Sequence, residues 1–335
     1  MTTFVQALHA DRVATSGFEN RDRKAVRLRR RVGVFAMAVL GSATSSTAQV
    51  AGPPPAPQNP SPMVERSRAH ERIETRELAG TRRTFEGPLA KPVEVFVPAN
   101  TRRAEALHLV VHFHGGAFIP EYAVSQLGND HVVAVVNLAP GSGVYDRTFS
   151  EPGVYDSLLA AIGHETSAAL NRAATFTDVT LVGFSAGHGA IRAILRDSAH
   201  FDRVNAVLLL DGLHTSYVPA NTVVEKGGTL DESNLAAFVR FARAAMRGEK
   251  RFLVTHSEIF PGTFASTTET TDYLIQALGL KRTPVLRWGP RGMQQLSEVT
   301  QGRFELQGFA GNSGPDHIDQ FHGMPEFLRK VQSRY

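Results

Sequence analysis

Apolar residues in this chain fall into short, nearly unbroken runs separated by longer stretches with helical spacing. Residues 132–138 and 204–210 are almost entirely Val, Leu and Ala. A strand that is apolar on both faces belongs in the interior of a parallel sheet covered from both sides. Residues 93–97, 106–113, 179–182, 251–255 and 303–309 read as further strands. Between these runs, residues 154–174 place Leu158, Leu159 and Ile162 on one helical face. Residues 189–195, 235–247, 271–280 and 325–332 also read as helices. The alternation predicts an α/β fold, with a mainly parallel central sheet flanked by helices on both faces and joined by right-handed crossovers.

The pattern fades towards the N-terminus. Residues 52–62 (Gly-Pro-Pro-Pro-Ala-Pro-Gln-Asn-Pro-Ser-Pro) form an extended linker, and the polar residues 65–83 read as a surface helix or a continuation of it. Globular patterning begins near Thr84. Residues 21–31 are densely basic, residues 32–41 are apolar, and Ser46-Thr47-Ala48 is a small-x-small site. These are the parts of an export signal removed near Ala48, which places the mature protein in the periplasm or outside the cell. The apolar run is too short for a stable membrane span. The expected organisation is therefore an export signal (1–48), a linker and polar segment (49–83) and one catalytic domain (84–335).

Composition matters only after this division. The chain has 335 residues and a net charge of +4, but beyond residue 48 it carries 28 basic and 29 acidic side chains. The body has no basic stripe with interleaved aromatics, so nucleic acid is not an expected partner. The absence of cysteine excludes disulfides, thiolate metal sites and a cysteine nucleophile.

Gly183-Phe184-Ser185-Ala186-Gly187 lies where the strand 179–182 ends and the helix 189–195 begins. A G-x-S-x-G pattern in a strand–turn–helix setting predicts a nucleophile elbow, with Ser185 raised above the sheet on a strained turn. The following helix directs its first N–H groups at the place where negative charge develops in acyl transfer. A serine hydroxyl needs a base within reach, and the base needs an orienting acid. Both should lie beyond the C-terminal ends of later strands. His317, in a loop between the last strand and the closing helix, is read as the base, ahead of His322. Asp211, which ends the run 204–210, is read as the acid, ahead of Glu258 after 251–255. The oxyanion would be held by the backbone N–H groups of Ala186 and of Gly116, the latter in His112-Phe113-His114-Gly115-Gly116. His112 and His114 would share a strand face, but without a third spaced ligand they are read as structural, and no metal or cofactor is expected. Gly141-Ser142-Gly143 is not read as a nucleotide loop, because no helix is expected to open on it and no Lys-Ser/Thr follows.

The His114-Gly115-Gly116 turn, the elbow and the late His317, in this order, resemble the α/β-hydrolase superfamily over residues 84–335. The His-Gly-Gly turn is shorter than the His-Gly-Gly-Gly of many esterases and lipases. The resemblance implies Ser, then Asp or Glu, then His in chain order, which Ser185, Asp211 and His317 obey. In many members the acid follows the next strand, where Glu258 stands. The expected activity is that of an exported serine hydrolase cleaving small or medium carboxylic esters through an acyl-enzyme on Ser185. The same residues would serve an amidase, a peptidase or an acyltransferase. A non-catalytic binding protein of this fold is a different class, and it has no need of both Ser185 and His317.

Phe118, Ile119, Tyr122, Tyr145, Phe149, Tyr217, Phe260 and Phe264 fall in predicted loops after the strands, which suggests a pocket for an apolar acyl or aryl group. Residues 212–250 and 257–302 leave room for a small cap only. The run 267–272 is entirely polar and is not expected to form the apolar face of a lid.

Overall fold

The computed structural model describes residues 68–333, so the predicted export signal and the proline-rich linker lie outside the described residues. Strand β1 (Gly80–Phe85) leads into β2 (Val93–Pro98) and β3 (Leu107–Phe113). Helix α1 (Phe118–Ser125), strand β4 (His131–Val136) and helices α2 (Ser142–Ser150) and α3 (Val154–Leu170) follow. Next come β5 (Phe176–Phe184), α4 (His188–Arg196), α5 (Ser198–Arg203) and β6 (Ala206–Leu210). A small ribbon of β7 (Tyr217–Val218) and β8 (Thr229–Leu230) precedes α6 (Ala236–Met246), β9 (Arg251–His256) and α7 (Thr267–Leu278). The last elements are β10 (Thr283–Trp288), β11 (Gln294–Gln301), β12 (Phe304–Phe309), α8 (Gly314–His322) and α9 (Met324–Gln332).

Ten strands form one sheet in the order β1-β2-β4-β3-β5-β6-β9-β12-β11-β10. The strands from β4 to β12 in that order are parallel. The pairs β1–β2 and β11–β10 add antiparallel edges. This is the mainly parallel sheet, covered on both faces, that the apolar runs predict and the α/β-hydrolase resemblance implies. Alternate residues of one strand enter opposite cores. Leu109, Val111 and Phe113 of β3 pack with Leu158 and Ile162 of α3 and Phe238 of α6. Val110 packs on the other face with Ile119 of α1 and Phe327 and Leu328 of α9. Each fully buried Val or Leu contributes about 1.5–3 kcal/mol, which makes these two layers the main support of the sheet.

The register brings the strand ends together. Phe113 pairs with Gly183, Phe184 with Leu210, and Leu210 with Thr255. The residues that follow, His114, Ser185 and Asp211, leave the C-terminal edge of the sheet as neighbours.

Several expectations are corrected. Residues 80–85 are not part of a surface helix; they form edge strand β1, held by Arg82, which lies 4.7 Å over the Phe96 ring and donates to Glu121. Residues 68–79 have no regular secondary structure but pack on α8, so the body extends N-terminal of Thr84. A helix does open at Gly141-Ser142-Gly143, namely α2, with Gly141 at φ 97° as its cap. The polar run 267–272 is the first part of α7, started by a Ser266–Glu269 capping box, and Thr267, Thr270 and Thr271 are buried. His317 stands in the first turn of α8 rather than in a loop. Phe118 and Tyr122 belong to α1. The β10–β11 hairpin escaped the pattern because its inward positions are polar: Gln295 and Ser297 are buried beside Val299. Among the described residues no helix is long and apolar enough to cross a membrane.

Candidate active site

After β5, Ser185-Ala186-Gly187 makes a single 3-10 turn and α4 begins at His188. Ser185 has φ 49°, in the left-handed region. A Cβ on Gly187 would lie 2.1 Å from the Phe113 carbonyl oxygen, and one on Gly183 would lie 3.1 Å from the His188 nitrogen. Strand, turn and helix can pack this closely only because both flanking residues lack side chains. His114 at φ 71° and Asp211 at φ 43° are strained in the same sense. Non-glycine residues in this region cost about 1–3 kcal/mol each, and here they gather at three neighbouring strand ends.

Asp211 is 2% exposed. Its Oδ1 accepts from the Ser257 N–H at 2.9 Å and from Thr267 Oγ1 at 2.8 Å. Its Oδ2 accepts from Ser257 Oγ and from His317 Nδ1, both at 2.7 Å. Burial alone would raise the Asp211 pKa. The hydrogen bond and charge of His317 and the donors of Ser257 outweigh it, and the carboxyl titrates well below its ordinary value. An ionised carboxylate can only accept, so His317 carries its neutral-state proton on Nδ1 and presents a lone pair on Nε2. The His317 ring lies 4.5 Å from that of Phe184, the residue before the serine. A Cβ on Gly212 would lie 2.9 Å from the Ser185 nitrogen, so the chain just after Asp211 rests against the elbow.

The two alternatives lie elsewhere. Glu258 is exposed and accepts from the Gly311 N–H at 3.3 Å. His322, at the end of α8, accepts from the Ile73 N–H at 2.9 Å.

The turn after β3 is fastened by Asn137, which accepts from the Gly115 N–H at 2.9 Å and donates to the Gly115 carbonyl at 2.8 Å. Gly116 follows this clamp and is exposed. His112 and His114 part company here. His112 is fully buried and stacks on Phe321 at 5.4 Å. His114, beyond the strand end, lines the cavity at Ser185. Tyr145 Oη accepts from the Leu138 N–H and lies 3.1 Å from His114 Nδ1, which ties the histidine ring to the core.

The cavity has a volume of about 650 Å³. Ser185, Ala186, His114, His188, Arg192, His214, Asn234 and Phe264 are among its walls. Of the aromatic residues expected there, only Phe264 is a wall residue; Tyr145, Phe149 and Tyr217 are core. His188 donates from Nδ1 to the Ser185 carbonyl at 2.8 Å, and His214 from Nδ1 to the Ala265 carbonyl at 2.9 Å. Burial, followed by the charge of His214, pushes His188 down to about 3. Burial also lowers His214 and, with the charge of His317, His114. The three are neutral at pH 7.

No protein-family model matches the chain, and no curated protein sequence does. Solved structures share its general arrangement. Est1E from Butyrivibrio proteoclasticus is 11% identical over 76% of this chain and 100% of its own, with a TM-score of 0.39. The S-formylglutathione hydrolase from Staphylococcus aureus is 12% identical over 78% of this chain and 99% of its own, with a TM-score of 0.42. The corresponding hydrolase from Agrobacterium tumefaciens is 14% identical over 77% of this chain and 99% of its own, also with a TM-score of 0.42. Likenesses at this level add nothing to the site geometry, on which the functional reading rests.

Sequence reasoning missed Ser257, Thr267, Asn137 and Arg192. Asn137 stands beside an expected strand end, a position that could have drawn notice. Ser257 and Thr267 carry no local signal, because their partner lies 46 and 56 residues away.

Proposed function

We propose that the protein is a serine hydrolase acting on carboxylic esters. The observation that carries this reading is His317 oriented by the buried Asp211 at the strand ends, where the serine stands at positive φ between two close-packed glycines. In the proposed cycle Ser185 Oγ attacks the ester carbonyl carbon and its proton passes to His317 Nε2. The Gly116 and Ala186 N–H groups hold the oxyanion. His317 returns the proton to the departing alcohol, leaving an acyl-serine, and a water activated by the same imidazole releases the acid. Asp211 keeps the imidazole in the required tautomer and stabilises its cationic form.

Export before action is part of the proposal and rests on residues 21–48, whose basic, apolar and small-residue blocks form a cleavable leader. N-terminal sequencing of the protein from its native cell would return a start near Gln49; an intact cytoplasmic chain would refute this part.

A fluorophosphonate probe should label Ser185. Ser185→Ala should abolish labelling and lower aryl-ester turnover by about 10⁴-fold or more. Labelling at another serine, or full turnover in the variant, would overturn the assignment.

A further inference from the structure

The cavity wall contains a cation whose donors are not used up. Arg192 lies one helical turn beyond His188 on α4 and is 8% exposed. Its Nε donates to Asp146 of α2. That carboxylate is shared, because its other oxygen accepts from Arg196 at 3.0 Å. One negative charge therefore faces two guanidinium groups. Neither terminal nitrogen of Arg192 has a hydrogen-bond acceptor among the described residues, although Arg192 lines the same cavity as Ser185. Neither terminal nitrogen is a fully buried unpartnered atom, so solvent in the cavity reaches them and their N–H donors are free to pass to a ligand.

The rest of the wall fits this charge. The histidines around Arg192 are neutral at pH 7 and add no cation. Asp231, near Asn234, is already engaged by Ser233 and Asn234 and is not a wall residue. Arg192 is thus the one permanently charged side chain of this wall, and Asp146, shared with the half-exposed Arg196 outside the wall, compensates it only in part, which suits a monoanion. From Ser185 to Arg192 the chain advances about 10 Å along the helix axis, and helical side chains lean back towards the N-terminus. A group bound by Arg192 would lie several bonds from a carbonyl at Ser185.

We propose that the substrates are esters bearing a carboxylate several bonds from the scissile carbonyl, and that Arg192 binds that carboxylate. This rests on the serine-hydrolase reading. It makes the half-esters of dicarboxylic acids, or esters of carboxylated alcohols, the preferred class over neutral esters of equal size. A charge-assisted pair in a cavity of this kind is expected to contribute a factor of about 10–100 in kcat/KM.

The test compares 4-nitrophenyl hemiglutarate with 4-nitrophenyl valerate, and 4-acetoxybenzoate with phenyl acetate. The first pair places the carboxylate on the acyl side and the second on the alcohol side. The wild type should favour the anionic member of one pair by about 10-fold or more. Arg192→Gln should bring that ratio to about 1, and Arg192→Lys, which keeps the charge, should retain part of it. The ratio is internal to each variant, so a general loss of activity leaves it readable. No preference in either pair, or a ratio unchanged in Arg192→Gln, would overturn the proposal. Titration calorimetry of monomethyl glutarate, a monoanion, against Ser185→Ala, with and without Arg192→Gln, reads the site without catalysis. Binding lost with Arg192 supports the anion site even if every ester proves inert, an outcome that would sink only the hydrolase reading. No binding to Ser185→Ala, or binding unchanged by Arg192→Gln, would sink this one.

Discussion

Asp211 and Arg192 are both charged, both buried and both close to the elbow, yet their hydrogen-bonding capacities are used in opposite ways. Asp211 has two oxygens with two donors on each: Ser257 N–H and Thr267 on one, Ser257 Oγ and His317 on the other. Arg192 spends Nε on a shared carboxylate and keeps two nitrogens open towards the cavity. A filled inventory immobilises a group and suits a part that must hold another still. An unfilled one, on a mostly buried side chain whose terminal nitrogens still meet solvent, suits a part that waits for a ligand. His112 is a third case, with both ring nitrogens buried and unpartnered among the described residues.

The heaviest way to break the comparison is to change the filled member. Asp211→Asn keeps the shape, but the fixed Ser257 N–H would hold the amide oxygen on its side and turn the NH2, which cannot accept, towards His317. The imidazole would lose its tautomer, and kcat should fall by about 10³–10⁴-fold with the fold intact by circular dichroism. A variant of near-normal rate whose activity then depended on Glu258 would move the role to that residue.

His112 tests what an unfilled group costs without a ligand to justify it. Burial, chiefly, pushes its pKa down to about 3, while an unfolded histidine titrates near 6.5. Between these values the unfolded chain binds the proton and the folded one does not. The contribution is therefore complete above about pH 6.5 and is lost as pH falls, at about 1.4 kcal/mol per pH unit per group. His188, pushed to about 3, and His256, pushed to about 4, act in the same direction. His112→Phe, beside Phe321, should flatten the fall of Tm between pH 6.5 and 4 and leave Tm at pH 8 equal or higher. An unchanged slope would show that His112 is not neutral in the fold.

Ser257→Ala and Thr267→Val each remove donors from Asp211 without touching the reacting atoms. Each should lower kcat by about 10-fold with little change in KM. A less satisfied carboxylate holds the imidazolium more tightly, so the acidic limb of the kcat/KM profile should also move to higher pH. A purely structural loss would lower the rate and leave that limb in place.

The smallest expected effect concerns acyl length. With a cavity of about 650 Å³, methylenes beyond a medium chain find no wall to bury against. kcat/KM for neutral aryl esters should level off and then decline a few-fold as the chain lengthens. A steady rise to long chains, with a jump above the micellar threshold, would mark a lipase.

These residues also show what could be read in advance. Strands β4 and β6 were legible because nearly every position in them is apolar, and the elbow because its glycines, serine and flanking elements are contiguous. Asp211 could be set above Glu258 only by position, since the contact that separates them spans 106 residues. Ser257 and Thr267 read as surface polar residues because nothing local distinguishes a buried hydroxyl from a solvated one. Arg192 was hidden for a similar reason: its neighbours Ile191, Ala193, Ile194 and Leu195 are the core signal of α4, and a cation among them looks like the wet side of an amphipathic helix.

The segment before β1 has a practical bearing on any shortened form of this protein. Arg68 pairs with Asp316 and Asp319, His70 donates to Asp319 at 2.7 Å, and Arg72 lies 2.7 Å from the same carboxylate, which is fully buried. Asp316 and Asp319 flank His317 on α8. A boundary drawn at Thr84, where the apolar pattern starts, would strip two arginines and a histidine from the helix that carries His317. It would also leave two carboxylates without counter-charges. A boundary drawn before Arg68 keeps that buttress, so the shortest working gene fragment is longer than its hydrophobic pattern suggests.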